Sequence, residues 1–298
     1  MRVLLLVTGR CEQKALGSAL SRLFPDVTFD SVYLDGFTSN PVPSALPPCT
    51  GLPTKVETIA GELVAAIEPG QRTNKPYDFV FALEDLELCN ASQPALVVNL
   101  MREAVSRHLE TASFASESSR SKARDRARAR CSFHLLVPMV ESYFFGEADT
   151  ESGALRRAGA CQTSAFVPEA CDVEKFHVGT TAFVDRERYP DGLKQGGIAV
   201  SWAKPQREQH PKHYLSFLCE PDPVTPGQGR YQETRGGAEA LRLLDWKQVL
   251  GISAHGTFLR SFIADLADGL GRPMPLPGDL APLTAPKVGN GGSLLRNL

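Results

Sequence analysis

The chain reads as an α/β fold built on a central, mainly parallel sheet with helices on both faces, plus an irregular insertion and C-terminal helices. Two observations predict it. Val3-Leu4-Leu5-Leu6-Val7 and Phe79-Val80-Phe81-Ala82-Leu83 are short, continuous apolar runs, the pattern of strands covered on both faces. Each ends in a polar, carboxylate-bearing turn, Thr8-Gly9-Arg10-Cys11-Glu12 and Glu84-Asp85-Leu86-Glu87. Ligands of parallel sheets sit outside the C-terminal ends of the strands, so the two turns are expected to share one rim.

The elements follow in order. After the first strand, Ala15, Leu16, Ala19, Leu20 and Leu23 recur at helical spacing from Glu12 to Leu23. A second strand is expected over Val27–Leu34. Residues 35–53 are a loop by their Pro, Ser, Thr and Gly content. A helix over Val56–Ile67, with Ile59, Leu63, Val64 and Ile67 on one stripe, delivers the chain to the strand before Asp85. A further helix is predicted from Pro94 to about Thr111. From Cys131 to Phe145 a strand, a break at Pro138 and a new element carrying Glu141 are expected. Residues 146–209 show only short strand-like pieces, Thr180–Val184 and Ile198–Trp202, and read as an insertion. Helical patterns return over Ala238–Leu250 and His255–Leu270, and the Pro- and Gly-rich remainder reads as a flexible tail. The expected organisation is a core over 1–145, an insertion with C-terminal helices over 146–272 and a tail over 273–298.

Composition narrows the class of protein. With 32 basic and 34 acidic residues among 298, net charge is near zero, which leaves any nucleic-acid contact to a local basic surface. That surface has an obvious candidate. Between Arg120 and Arg130 stand five arginines and one lysine against the single Asp125, so Arg124, Arg126 and Arg128 are the expected phosphate contacts, or else a solvated helix face. No aromatics interleave with them, which leaves stacking on single strands unsupported. Seven cysteines without a CxxC pair point to reduced thiols and a cytoplasmic location. The first apolar run is too short for a membrane span or a signal-peptide core.

The motifs that are absent matter too. The chain has no G-x-G-x-x-G, no G-x-x-x-x-G-K-[ST] and no G-x-S-x-G. His210-x-x-His213 spans Pro211 and lacks a third ligand nearby, so a structural or substrate-contact role is expected there, with Lys212 as a further nucleic-acid contact. What remains is the carboxylate rim. Clustered carboxylates either repel one another or hold a divalent cation, and oxygen ligands suit Mg2+ or Mn2+; acidic residues in such turns also cap helix N-termini.

The order of strand, Gly turn with an acidic residue, helix, later strand ending in an acidic pair, and the segment Val140-Glu141-Ser142-Tyr143-Phe144 resembles the TOPRIM superfamily, the topoisomerase–primase domain, and within it the small TOPRIM-like proteins of bacterial defence loci. The resemblance covers roughly the first 145 residues. Where the family places a Glu before the Gly, this chain has Thr8; Asp85-Leu86-Glu87 looks like the D-x-D motif with Glu at its second position. The resemblance implies divalent-cation-dependent phosphodiester chemistry, a nuclease or nucleic-acid-processing component of an anti-phage system, with Asp85 and Glu87 as metal ligands and Glu12 and Glu141 as catalytic carboxylates. Glu12 can serve only if its side chain turns back toward the strand ends. The alternative is a catalytically degenerate scaffold that binds nucleic acid or a protein partner without cutting.

Overall fold

The computed structural model describes residues 1–43, 51–68, 76–147, 153–184, 194–195, 198–199, 204–220, 231–251, 255–287 and 292–298. In chain order the elements are β1 (Arg2–Val7), α1 (Arg10–Leu23), β2 (Thr28–Tyr33), α2 (Thr54–Ala65), β3 (Phe79–Asp85), α3 (Pro94–Thr111), α4 (Glu117–Arg130), β4 (Cys131–Leu136), α5 (Ala154–Ala158), α6 (Thr181–Val184), β5 (Lys194–Gln195), β6 (Ile198–Ala199), α7 (Pro211–Leu218), α8 (Ala238–Leu243), α9 (Trp246–Val249) and α10 (Thr257–Gly269). Strands β1 to β4 form one all-parallel sheet in the order β2-β1-β3-β4, and β5 and β6 make a small antiparallel pair. The expected α/β class with C-terminal helices is what forms.

Alternation along the strands divides the core into two layers. Val3, Leu5, Val7, Phe81 and Leu83 pack on one face with residues of α1, α8 and α10, while Leu4, Leu6, Val80 and Ala82 pack on the other with α2, α3 and α4. These strand side chains are at most 2 % exposed, and burying each leucine or phenylalanine contributes roughly 1.5–3 kcal/mol. The helices earn their places differently. Helix α1 buries Ala15, Leu16, Ala19 and Leu20 on one stripe, whereas α4 buries only Ala123 and Ala127, an i,i+4 pair that lets the helix lie close while its charged residues stay outside. Ser116 caps α4, its hydroxyl accepting from the Ser119 amide at 3.1 Å.

Three expectations are corrected. The segment Thr180–Val184, expected as a strand, lies in the short helix α6, because Phe183 is drawn into an aromatic cluster with Tyr214 (ring centroids 5.0 Å apart). The helix expected over Ala238–Leu250 breaks into α8 and α9 at Leu244, since Asp245 accepts from the Lys247 and Gln248 amides and starts a new helix. Within the stretch expected as a flexible tail, residues 292–298 instead dock: Leu295 and Leu298 are buried, the Arg296 amide donates to the Cys131 carbonyl at 2.8 Å, and the Asn297 side chain bonds both the amide and the carbonyl of Phe133. In the described part of the segment expected as an irregular insertion, Phe166 and Phe176 stack on each other and pack with Phe145 and Tyr214 on either side of it, joined to the β1/α1 layer. No helix among the described residues is long and apolar enough to cross a membrane.

Candidate functional site

Parallel pairing brings the ends of β1 and β3 side by side, Val7 opposite Leu83, and sets Asp85 opposite Leu136 at the end of β4. The three turns that follow therefore open onto one edge. Glu84 and Asp85, adjacent in sequence, part company there because successive side chains face opposite sides of a strand. Glu84 is buried, and its Oε1 accepts from the Phe37 and Thr38 amides at 2.8 and 3.0 Å and from the Thr38 hydroxyl at 2.7 Å. It fastens the loop after β2, helped by Asn90, which accepts from the Val42 amide and donates to the Thr38 carbonyl. Thr8 packs beside this arrangement and bonds the Leu83 carbonyl. A cavity beside the loop is lined in part by Phe37, Asn40, Val42, Lys55 and Leu100, with no carboxylate among its described lining residues.

Asp85 faces the other side, where Glu12 and Glu141 wait. Glu12 sits in the first turn of α1, and its carboxylate folds back over Gly9, occupying the space a Cβ at Gly9 would need. The side chain thus turns toward the strand ends, and glycine is required by that close approach; the Gly9 backbone itself is ordinary extended chain at φ −109°. Burial, followed by repulsion from Glu141, pushes Glu12 up to about 8. Asp85 is raised well above its usual range by burial and by Glu12, Glu87 and Glu141, and its Oδ1 accepts from the Val140 amide at 3.1 Å. Glu87 is pushed to about 7 by burial, with Lys212 pulling the other way. Its backbone has φ +59°, a region L side chains rarely adopt, held by a 2.8 Å bond from its amide to the Pro138 carbonyl. Such strain costs on the order of 1–3 kcal/mol and persists only where surrounding structure imposes it.

The C-terminal half completes the site with residues that sequence reasoning did not single out. Glu233 accepts from the Arg10 and Cys11 amides at 3.1 and 3.3 Å, capping α1 from 222 residues away, where Gly9 provides no side-chain cap. It also pairs with Lys212 at 2.7 Å. Burial acts to raise Glu233, but Lys212 and the two amides outweigh it and hold the carboxyl below its ordinary value. Lys212 lies 3.6 Å from Glu141 as well, and although burial opposes its charge, Glu141 and Glu233 raise its pKa. Tyr231 donates to Glu141 at 2.9 Å. The only sequence signal for this group was a polar Tyr-Gln-Glu ahead of a Gly pair, which is ordinary for a helix start.

The sequence-predicted residues thus fall into two sets. Glu12, Asp85, Glu87 and Glu141 come together, with Lys212 as their internal counter-ion and not as a free cation. Arg124, Arg126 and Arg128 lie elsewhere: Arg130 directly precedes the first residue of β4, so α4 ends at the edge opposite the carboxylates. Arg126 pairs with Glu68 at 2.6 Å and Arg128 with Asp125 at 3.4 Å. His210 and His213 stack at 3.5 Å between ring centroids, and the His210 ring accepts from the His213 amide as the cap of α7. Buried Ser132, His134 and Asp265 are the residue types of a nucleophilic triad, but the hydroxyl and the imidazole both bond the same Asp265 oxygen, so the imidazole does not stand between serine and aspartate as a triad requires. No protein-family model, curated protein or solved structure matches the chain.

Chemically, the carboxylates offer hard oxygen donors that suit a divalent cation. Among the described residues, however, no three His, Cys, Asp or Glu side chains are drawn together as a closed ligand set: Lys212 and Tyr231 engage Glu141, and the Val140 amide engages Asp85. Lys212 already supplies positive charge among these oxygens.

Proposed function

We propose that the chain is a TOPRIM-like, divalent-cation-dependent phosphodiesterase acting on nucleic acid. The observation that carries this reading is the meeting of carboxylates from three separate turns at the C-terminal edge of a parallel sheet, where burial and mutual repulsion raise Glu12, Asp85 and Glu87 above their ordinary values. Asp85 and Glu87 would hold Mg2+ or Mn2+, which when bound offsets charge on a phosphate. Glu12, with a pKa of about 8, carries a proton at neutral pH and is poised to give it to a leaving oxygen. Glu141 is positioned by Tyr231 and Lys212 within the same cluster. The six described cysteines are free, which supports a reducing, cytoplasmic setting.

A second reading is favoured by Lys212. An ammonium already lodged among carboxylates is what a site that has given up its cation would contain, leaving a scaffold that binds a nucleic acid or a protein without cutting. Calorimetry separates the two. Manganese should bind the unaltered chain, and Asp85→Asn with Glu87→Gln should abolish that binding while the fold persists, since the amides keep shape and remove charge. Equal manganese affinity in the double variant, or none in the unaltered chain, would reject the cation-dependent reading in favour of the scaffold.

A further inference from the structure

The structure points to a phosphate-binding lip distinct from the arginine run: we propose that Arg10, Lys14 and Arg235 grip the backbone of a polynucleotide at the mouth of the carboxylate site. The inference rests on the proposed phosphodiesterase reading, which requires a polyanion to approach an acidic rim. Phosphates and carboxylates repel, so cations must stand next to that rim rather than across the molecule.

These three residues are placed there by the same contacts that build the site. Arg10 opens α1 directly after the Gly9 turn, and Lys14 is four residues on, on the same helix face. Glu233 ties the Arg10 amide to the turn before α8, and the Lys14 ammonium reaches the Thr234 carbonyl at 3.2 Å, which brings Arg235 alongside. All three side chains belong to exposed residues or face an exposed contact. No ion pair to a carboxylate is found for Arg10, Lys14 or Arg235 among the described residues, whereas Arg120, Arg126 and Arg128 of α4 are each paired with one. Acids on the neighbouring segments have partners of their own: Glu233 with Lys212, Glu239 with Arg242, and Asp35 with the Tyr33 hydroxyl.

Arg10 is also preorganised. Its guanidinium lies 3.6 Å over the Tyr33 ring and donates to Gln13 at 3.0 Å, so little rotamer entropy is left to lose on gripping a phosphate. With Nη1 on Gln13, the remaining guanidinium donors are left for phosphate oxygens.

The test is salt-dependent binding of a fluorescent 20-nucleotide DNA, offered as a single strand and as a duplex. Each lost phosphate contact should flatten the slope of log affinity against log salt by about 0.9 on duplex and about 0.7 on the single strand. Arg10→Gln, Lys14→Gln and Arg235→Gln together should weaken binding at least tenfold and flatten the slope by about two to three such steps, while Arg124→Gln, Arg126→Gln and Arg128→Gln together should leave both unchanged. The single variant Arg235→Glu changes one exposed side chain and should weaken binding by itself if the triple variant fails to fold. Unchanged binding in the lip variants, equal loss in the α4 variant, or no DNA binding by the unaltered chain would each overturn the proposal. Manganese calorimetry on the unaltered chain reports on the carboxylate site separately, so a cation-free site with an intact lip, or the reverse, is read directly.

Discussion

Glu12 shows how far single residues could be read and where the reading stopped. Its position after a Gly turn marked it, but whether the side chain pointed along the helix or back over the strand end depended on the space left by Gly9, which only packing reveals. That dependence gives a sharp prediction. Gly9→Ala places a methyl group in the volume of the Glu12 carboxylate, so it should cost about 1–3 kcal/mol. Adding Glu12→Ala should recover most of this loss in a urea-melt cycle; additive effects would mean the two do not touch. Charge makes a second prediction. Glu12 and Glu87 have folded pKa values of about 8 and 7, raised from 4.5, and Glu174, which accepts from the Phe258 and Leu259 amides at the start of α10, is raised to about 7. A raised carboxyl binds its proton more tightly when folded, so its contribution is full below pH 4.5 and is lost as pH climbs through the folded value. Stability should therefore fall as pH rises from about 4.5 to about 8, and Glu12→Gln should shrink that fall by roughly 4–5 kcal/mol. The lowered pKa of Glu233 acts only in more acidic solution. Equal urea midpoints for both chains at pH 9 would contradict the buried placement of Glu12.

At the scale of elements, periodicity served well wherever one face is apolar. The runs forming β1 and β3, the stripes of α1, α2 and α3, and α10 were all legible, because burial of a regular face is what makes those segments regular. It served poorly where contacts between distant segments decide. Thr181–Val184 has strand-like letters but follows Phe183 into aromatic packing, and Glu233 gains its role from amides 222 and 223 residues away in sequence. Helix α4 shows both sides of this. Its charge was plain in the sequence; that its only buried residues are Ala123 and Ala127 was not. Changing Arg124, Arg126 and Arg128 to Gln should therefore shift stability by less than about 1 kcal/mol, most of it from the Arg126–Glu68 pair. Ala127→Asp, which drives a carboxylate between α4 and the sheet, should cost more than about 3 kcal/mol. Thermal melts of the two variants that moved by similar amounts would mean that the helix is not seated on its alanines.

The four-stranded sheet has two edges, β2 and β4, and they are treated unlike. On β2, Asp30 pairs with Arg2 at 2.7 Å, a charge on the edge that discourages pairing with another chain. On β4 the edge is covered by residues 292–298. The Asn297 amide meets Phe133 as a strand would, accepting from its N–H at 3.2 Å and donating to its carbonyl at 2.7 Å, while the Arg296 amide takes the Cys131 carbonyl. Arg296 then locks the strap from outside through Asp265, the same buried carboxylate that bonds Ser132 and His134 on β4. Burial would raise Asp265, but His134, Arg296 and Ser132 prevail and hold it low, so the strap and the strand share one charge-assisted knot. Asn297→Ala should leave the buried Phe133 amide and carbonyl unpaired and cost about 2 kcal/mol. Arg296→Ala removes one partner of the buried Asp265 and should cost at least as much. With both changes the bared β4 edge becomes a template for pairing with a second chain. The expected outcome is a lower melting temperature together with concentration-dependent association by light scattering. A double variant that melts lower yet stays monomeric at every concentration would show that the strap stabilises the fold without guarding the edge.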